Sequence, residues 1–309
     1  MNKIIKTSTA FIFCLILLFS LTACNDKSAP TLTDSENGQP EAPVTTTEPS
    51  NEEEAPKECK HTSINENGLC ESCSERFFTE GLKFTLNNSI GYYVVTSYTG
   101  DSAEVLIPDK YNDILVTRIG EAAFKGNKKI TSITLPDSIT TVENQAFAEC
   151  AELTTIDLGN GLATVGQDIL FDCSKIKELT LPRTITAIGD YSFRNMTGLT
   201  TLNIPDTVTT IGIDAFWNCT ALNSVTIPDS VKTIGMGAFS DCSNLTTISL
   251  TNSVTSFEIG AFSRCKKLLR IKFDGTKSEW KNIYKKSQWN AGTGDYVILC
   301  SDGNLEKYQ

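Results

Sequence analysis

The sequence has 309 residues, of which 40% are hydrophobic, a content that is ordinary for a globular protein of one to three domains. Its formal net charge is −10, and residues 25–58 account for −7 of that, with nine acidic and two basic side chains. Because no basic face is evident that could neutralise phosphates, this balance argues against a nucleic acid as partner.

Residues 1–23 have the features of an export signal. Two lysines precede an apolar run at 10–21. A helix that spans a membrane needs about 20 apolar residues, so this run is too short for one, and it fits the apolar part of a secretory signal peptide. The sequence "LTAC" at 21–24 resembles a bacterial lipobox, which implies cleavage before Cys24 and diacylglycerol on its sulfur. The alternative is ordinary cleavage at the same bond with an incidental cysteine. With several acyl chains the protein would be anchored in the cell membrane, facing outward.

Residues 24–58 comprise this cysteine and an acidic segment rich in Thr, Pro and Glu. Such a composition cannot bury enough apolar surface to offset its ordering entropy, so we expect a disordered linker. Its root-mean-square span would be about 30–35 Å, which would hold the folded part away from the lipid.

Residues 59–75 contain a candidate metal knuckle. Cys59, His61, Cys70 and Cys73 have the spacing C-x-H-x8-C-x2-C, and three thiolates with one imidazole are a ligand set of closed structural zinc sites. The segment resembles a shortened half of a zinc ribbon. A disulfide between exported thiols and a redox-active C-x-x-C are the alternatives. Four protein ligands would leave no position for a substrate, so the predicted Zn²⁺ is structural.

Residues 107–273 repeat one pattern seven times. The first copy is 28 residues long, with five extra residues near "KYNDI", and the others are 23. A fixed period with apolar residues at set positions predicts a solenoid. Within a repeat, "NLTTISL" predicts a strand, while Ala238, Phe239, Cys242 and Leu245 would lie on one face of a helical turn. We call equivalent positions of successive repeats a column; the aromatic column is Phe124, Phe147, Leu170, Phe193, Phe216, Phe239 and Phe262.

The repeat resembles the BspA-like class of bacterial leucine-rich repeats, "IPxSVxxIGxxAFxxCxxLxxIxL", over about residues 79–303. The resemblance implies short parallel strands with helical turns, and a surface protein of host-associated bacteria that binds host proteins or other cells. Glu143 and Glu258 depart from the pattern in the Gly column, and Gly159 and Thr251 depart in the Pro column. These two columns are therefore preferred rather than obligatory.

Both ends of the array are predicted to be capped, since a solenoid must keep its last core face from water. Residues 76–106 read as a small antiparallel sheet. In residues 274–309, Thr276 and Glu279 form a capping box that begins a helix, and a final strand follows at "YVILC".

One column contains five cysteines, with Met196 filling the gap between Cys173 and Cys219. A metal or redox ladder is conceivable because adjacent repeats stack at about 4.8 Å. We favour buried packing, since Met is a packing residue rather than a substitute for thiol chemistry. The column is Cys150, Cys173, Cys219, Cys242 and Cys265.

An enzyme is not expected, because the single histidine, His61, is assigned to the metal and no Ser–His or Cys–His pair remains. We expect instead that the repeated surface binds other molecules. The outward Thr, Ser and Asn residues of the strand are interpreted as solvated β-formers.

A column just after the Gly column changes character along the array. It begins with four polar residues and ends with Ile213, Met236 and Ile259, which we call the apolar stripe; nearby Trp217 is an unusual aromatic. A contiguous apolar surface suggests a partner-binding site, unless the cap or a bend covers it. The sequence therefore favours a lipid-anchored repeat protein that binds surface or extracellular proteins, those of a host among them, in adhesion. A structural envelope module that binds envelope components or its own copies is the alternative.

Overall fold

A computed structural model describes residues 78–307 together with Gly68. The predictions for the signal peptide, the linker, Cys24 and the metal knuckle concern residues outside this range. The described residues form a solenoid of about nine turns, with parallel strands on two sides and tight turns on the third. The predicted repeat fold is confirmed.

The first side, face A, carries one short strand per turn, and equivalent residues of most neighbouring strands pair in parallel register. The alternating pattern turns one apolar side chain inward between two outward polar ones, as in Ser224-Val225-Thr226. Its strands are β3 (Glu104–Leu106), β6 (Ser132–Thr134), β8 (Thr155–Asp157), β10 (Glu178–Thr180), β12 (Thr201–Asn203), β14 (Ser224–Thr226), β16 (Thr247–Thr251), β18 (Arg270–Asp274) and β20 (Val297–Cys300).

The second side, face B, has shorter strands, also parallel, whose last residue points into the core. These strands are β2 (Tyr92–Tyr98), β5 (Ile114–Ile119), β7 (Thr141–Val142), β9 (Thr164–Val165), β11 (Ala187–Ile188), β13 (Thr210–Ile211), β15 (Thr233–Ile234), β17 (Ser256–Phe257) and β19 (Tyr284–Lys285).

The third side, which we call the turn side, is not helical. Two columns of each repeat have positive φ, for example Asp214 at 48° and Asn218 at 59°. This left-handed backbone interrupts any helix, and it lets alternate N–H groups reach the next repeat, as from Phe216 to Ala238 O at 2.8 Å. The expected helical turns are therefore tight turns bonded from repeat to repeat. Asp, Asn and Gly, which tolerate this backbone, fill most of the second column.

The core is a stack of equivalent side chains. Phe193, Phe216, Phe239 and Phe262 are fully buried, and successive rings stack with centroids 5.2–5.4 Å apart. Burial of this kind supplies the main favourable free energy of a repeat.

The N-terminal cap extends the solenoid. β1 (Leu82–Asn87) pairs antiparallel with β2. β2 itself pairs in parallel with β5 of face B, and β3 pairs in parallel with β6 of face A. Only the β1–β2 part of the expected antiparallel sheet is thus present, and residues 92–106 form an additional first turn. The five extra residues of the first repeat make a hairpin of β4 (Lys110–Tyr111) with β5.

The C-terminal cap combines a helix with one more turn. α1 (Lys277–Asn282) begins at the capping box of Thr276 and Glu279. β19 and β20 then continue faces B and A, and β21 (Gly303–Glu306) pairs antiparallel with β20. Trp289 covers the end of the Phe stack, with its ring edge-on to that of Phe262 at 6.4 Å, and it also stacks on Phe257 at 4.8 Å.

Candidate binding surface

The apolar stripe lies where face B meets the turn side. The side chains of Met236 and Ile259 are 43% and 44% exposed, and Ile213 is half-buried. Ser287 takes the next position in the last turn and is itself exposed. The C-terminal cap therefore leaves the stripe open, which removes the interpretation that the cap buries it.

Backbone hydrogen bonds fix the stripe while its side chains stay outside. The carbonyls of Ile213, Met236 and Ile259 accept N–H groups from the preceding repeat at 2.8–2.9 Å. Each stripe residue follows the Gly column or Glu258, and a Cβ on Gly235 would lie 2.5 Å from the carbonyl oxygen of Gly212. This close backbone approach explains the preference for glycine there.

The two glutamates in the Gly column compensate by forming ion pairs. Glu143 faces Arg118 at 3.5 Å and also accepts the N–H of Glu121, and Glu258 faces Lys286 at 2.5 Å. The column therefore accepts a longer side chain where a cation is available to it.

Two of the four polar members of the stripe's column have a backbone role that the stripe residues do not share. Asn144 Oδ1 accepts the N–H of Gln167 at 2.9 Å, and Asp190 Oδ1 accepts the N–H of Ile213 at 2.7 Å. The change from polar to apolar along this column thus exchanges hydrogen bonding for exposed apolar surface.

An aromatic cluster lies beside the start of the stripe. The guanidinium of Arg194 stands over Phe171 at 4.7 Å and over Tyr191 at 5.3 Å. Trp217, half-buried, occupies the next position in the column of Phe171 and Arg194. Sequence analysis singled out Trp217 but missed Tyr191, because a tyrosine at a left-handed position gives no periodic signal.

The stripe has carboxylates at its base. Burial raises the pKa of Asp214 above its ordinary value, the Asp190 and Asp241 carboxylates raise it further, and Arg194 opposes the shift. A Cβ on Gly237 would lie 1.9 Å from Asp214 Oδ1. Any other residue at position 237 would therefore clash with this carboxylate. Apolar, aromatic and arginine side chains around a partly desolvated charge are the composition of protein-binding hot spots.

The threonine columns are explained by the stacking of repeats. Thr154, Thr200 and Thr246 each donate Oγ–H and N–H to the carbonyl of the residue 23 positions earlier. On face B, Thr209 and Thr255 do the same. The sequence analysis interpreted the outward threonines as solvated β-formers; in the structure these hydroxyls also link one repeat to the next.

The five column cysteines are buried free thiols, as the packing interpretation predicts. Each thiol also contacts the carbonyl of a phenylalanine in the preceding repeat, for example Cys242 with Phe216 O at 3.3 Å. Burial raises the pKa of Cys150 to about 11 and of Cys219 to about 12. Thiolate chemistry at neutral pH is thereby suppressed.

The predicted metal ligands Cys59, His61, Cys70 and Cys73, and the predicted lipidation site Cys24, lie outside the described residues. Within 78–307, no group of three or more metal-ligating side chains gathers. Over the same range, no helix has the length and hydropathy needed to cross a membrane.

Charge is distributed unevenly along the solenoid. Residues 78–263 contain 11 basic and 20 acidic side chains, whereas 264–286 contain 9 basic and 2 acidic ones. The argument that the chain offers no basic face holds for its total charge but not for its C-terminal end, where the local excess is +7.

A family model described as "BspA type Leucine rich repeat region" matches six copies in residues 88–223 and 186–290. Among solved structures, the leucine-rich repeat protein of T. pallidum is 27% identical with a TM-score of 0.57, covering 61% of this chain and 88% of its own. A leucine-rich repeat protein from Bacteroides ovatus is 21% identical with a TM-score of 0.54, covering 74% and 72%. No curated protein matches the chain.

Proposed function

Because the chain belongs to the BspA-type leucine-rich repeat family, we propose that it is an exported, lipid-anchored surface protein that binds protein partners in adhesion and catalyses no reaction. Proteins of this type are bacterial surface proteins, and leucine-rich repeat proteins generally bind protein partners. The lipid anchor, the adhesive role and the absence of catalysis are the proposed parts.

The observation that carries the proposal is the exposed apolar stripe beside Trp217. Three successive repeats place an apolar side chain in a column that holds Glu121, Asn144, Gln167 and Asp190 in earlier repeats. The core requires no such change, since Phe147, Leu170 and Phe239 of the aromatic column are all fully buried beneath the two parts. A partner that covered Met236 and Ile259 would remove their exposed area from water.

In this proposal, diacylglycerol on Cys24 attaches the protein to the membrane. The ligands of the zinc ion are Cys59, His61, Cys70 and Cys73. The closed ligand set gives the metal a structural role and leaves substrate chemistry without an open position. Metal analysis of the purified chain beside a Cys70→Ser variant tests this assignment. A mass showing two hydrogens lost between these cysteines, with no metal, would replace zinc by a disulfide.

The full chain, purified in mild detergent and labelled, should bind saturably to host cells, extracellular-matrix proteins or bacterial envelopes. The variant Ile213→Asn/Met236→Asn/Ile259→Asn should lose that binding and keep its melting temperature. A matched control, Thr155→Asn/Thr201→Asn/Ser224→Asn on face A, alters equally many outward side chains and should bind normally.

Absence of binding to every surface would reject the recognition role. Dimers that dissociate in the stripe variant would instead assign the stripe to self-association in an envelope module. A large fall in stability of the stripe variant would show that the three residues belong to the core.

A further inference from the structure

The basic end of the solenoid is a second surface with a distinct composition. Lys266, Lys267, Arg270 and Lys272 are all exposed, and among the described residues none of them forms an ion pair. Two other cations nearby are paired, since Arg264 binds Asp241 and Lys286 binds Glu258. The positive charge of this end is therefore available to a partner.

Two of these cations lie on face A, where they interrupt its pattern of small polar residues. Arg270 pairs in register with Thr247 of the preceding turn, and Lys272 pairs with Ser249. On their other side they face Val297 and Leu299 of β20. Arg270 and Lys272 thus lie between the hydroxyl side chains of β16 and the apolar side chains of β20.

An exposed leucine adds to the apolar character of this end. Leu269 is 54% exposed and takes the position that Thr246 holds one turn earlier. The threonine hydroxyl bonds to the stack, and a leucine side chain cannot do so. The substitution exposes apolar area next to Arg270.

A groove of about 290 Å³ opens on the same face beside Lys272. Leu250 and Phe273, both turned toward the core, contribute to its lining, and Ser249 and Leu299 also line it. The lining is mainly apolar, with one ammonium group. Asp274 is the one carboxylate in this lining.

We infer that this end of face A is a docking site for an acidic, extended polypeptide segment that places an apolar side chain in the groove. Four unpaired cations complement carboxylates and steer them to the surface. The apolar lining, Leu269 and Leu299 favour a polypeptide over a nucleic acid or a sulfated glycan, which offer charge without an aliphatic side chain. The site is separate from the apolar stripe, and the proposal is independent of the function assigned to that stripe.

The test uses a fluorescein-labelled peptide in which Glu and Leu alternate, with the full chain in mild detergent. We expect saturable binding that weakens as salt rises from about 0.05 to about 0.5 M, because exposed charges are screened. Arg270→Glu/Lys272→Glu should weaken it by about tenfold or more. The control Lys177→Glu/Lys232→Glu makes the same change in net charge at exposed sites outside this surface, and should stay within about twofold.

Two comparison peptides separate the two parts of the recognition. Replacing every Glu by Gln should abolish binding, and replacing every Leu by Ser should weaken it severalfold. Equal losses in both charge variants would overturn the proposal, because net charge alone would explain them. Tighter binding of heparin or duplex DNA than of the Glu–Leu peptide would also overturn it. Loss of the stripe's partner binding, by contrast, would leave these results unchanged.

Discussion

The first four repeats and the last three share one core but present different outer surfaces on the turn side. Phe147 and Phe239 are both fully buried in the same column, whereas Asn144 and Met236, three residues before them, differ in polarity and in hydrogen bonding. In a solenoid each side chain belongs to a column that either faces its neighbours or faces solvent. Core columns stay uniform because they stack on themselves, and outer columns are free to carry binding specificity.

The largest expected effect tests the shared core. Phe147→Ala and Phe239→Ala should each lower the free energy of unfolding by about 3–5 kcal/mol, since each leaves a cavity in the stack. Chemical denaturation followed by circular dichroism measures both. A cost confined to one variant would break the comparison by showing that the two halves do not share a core.

A smaller effect is expected in the cysteine column. Cys150→Ala and Cys242→Ala should each cost about 1–2 kcal/mol, because each removes a buried sulfur and its hydrogen bond to a phenylalanine carbonyl. The same denaturation curves measure this cost.

Thiol reactivity gives an independent check on that column. At neutral pH, iodoacetamide should modify the half-buried Cys300 faster than Cys150 or Cys242, because burial raises the pKa of both column thiols. Peptide mass spectrometry locates the modified residues. Column cysteines already oxidised in freshly purified protein would contradict the packing role.

The next effect distinguishes the polar part of the stripe's column from the apolar part. Asp190→Ala should cost about 1 kcal/mol, since the N–H of Ile213 loses its acceptor. Met236→Ala removes no side-chain hydrogen bond and should cost less. Thermal melts of the two variants, recorded side by side, decide whether polarity in this column serves the backbone.

The smallest effect concerns stability at the exposed stripe. Met236→Asn and Ile259→Asn should each change the free energy of unfolding by about 0.5 kcal/mol or less, as surface substitutions usually do. Asn144→Ile, the reverse exchange, should cost more because it removes the acceptor of the Gln167 N–H. Equal costs in both directions would show that the two parts of the column are equivalent.

Much of this fold could be predicted from sequence because similar residue types recur at equivalent positions of seven repeats. The period, the inward residues of both strands and the buried Phe and Cys columns are all visible as recurring letters. The turn side was harder, since residues such as Ala122, Gln145 and Tyr191 adopt left-handed backbone where their own types disfavour it. There the hydrogen bonds between repeats, rather than local preference, determine the conformation.

The caps and the basic end show where a repeat pattern stops being informative. Residues 284–300 continue both faces although Trp289 and Asn290 share no motif with the repeats, because backbone pairing with β17 and β18 accepts many side chains. The charge of the C-terminal end is hidden in a total of −10. Neither the zinc knuckle nor the lipid anchor gains support from periodicity, so both remain predictions.

The hydrogen bonds between neighbouring turns have a consequence for how the chain reaches its native state. Most side chains that link turns reach partners 22 to 28 residues away, as with Thr184, Thr154 and Thr131. Each added turn therefore closes a loop of nearly constant length, at nearly constant entropic cost. Folding can start from any well-packed pair of turns and spread in both directions. Duplicating a repeat would lengthen the array without creating more distant contacts, so family members of different length can fold by the same steps.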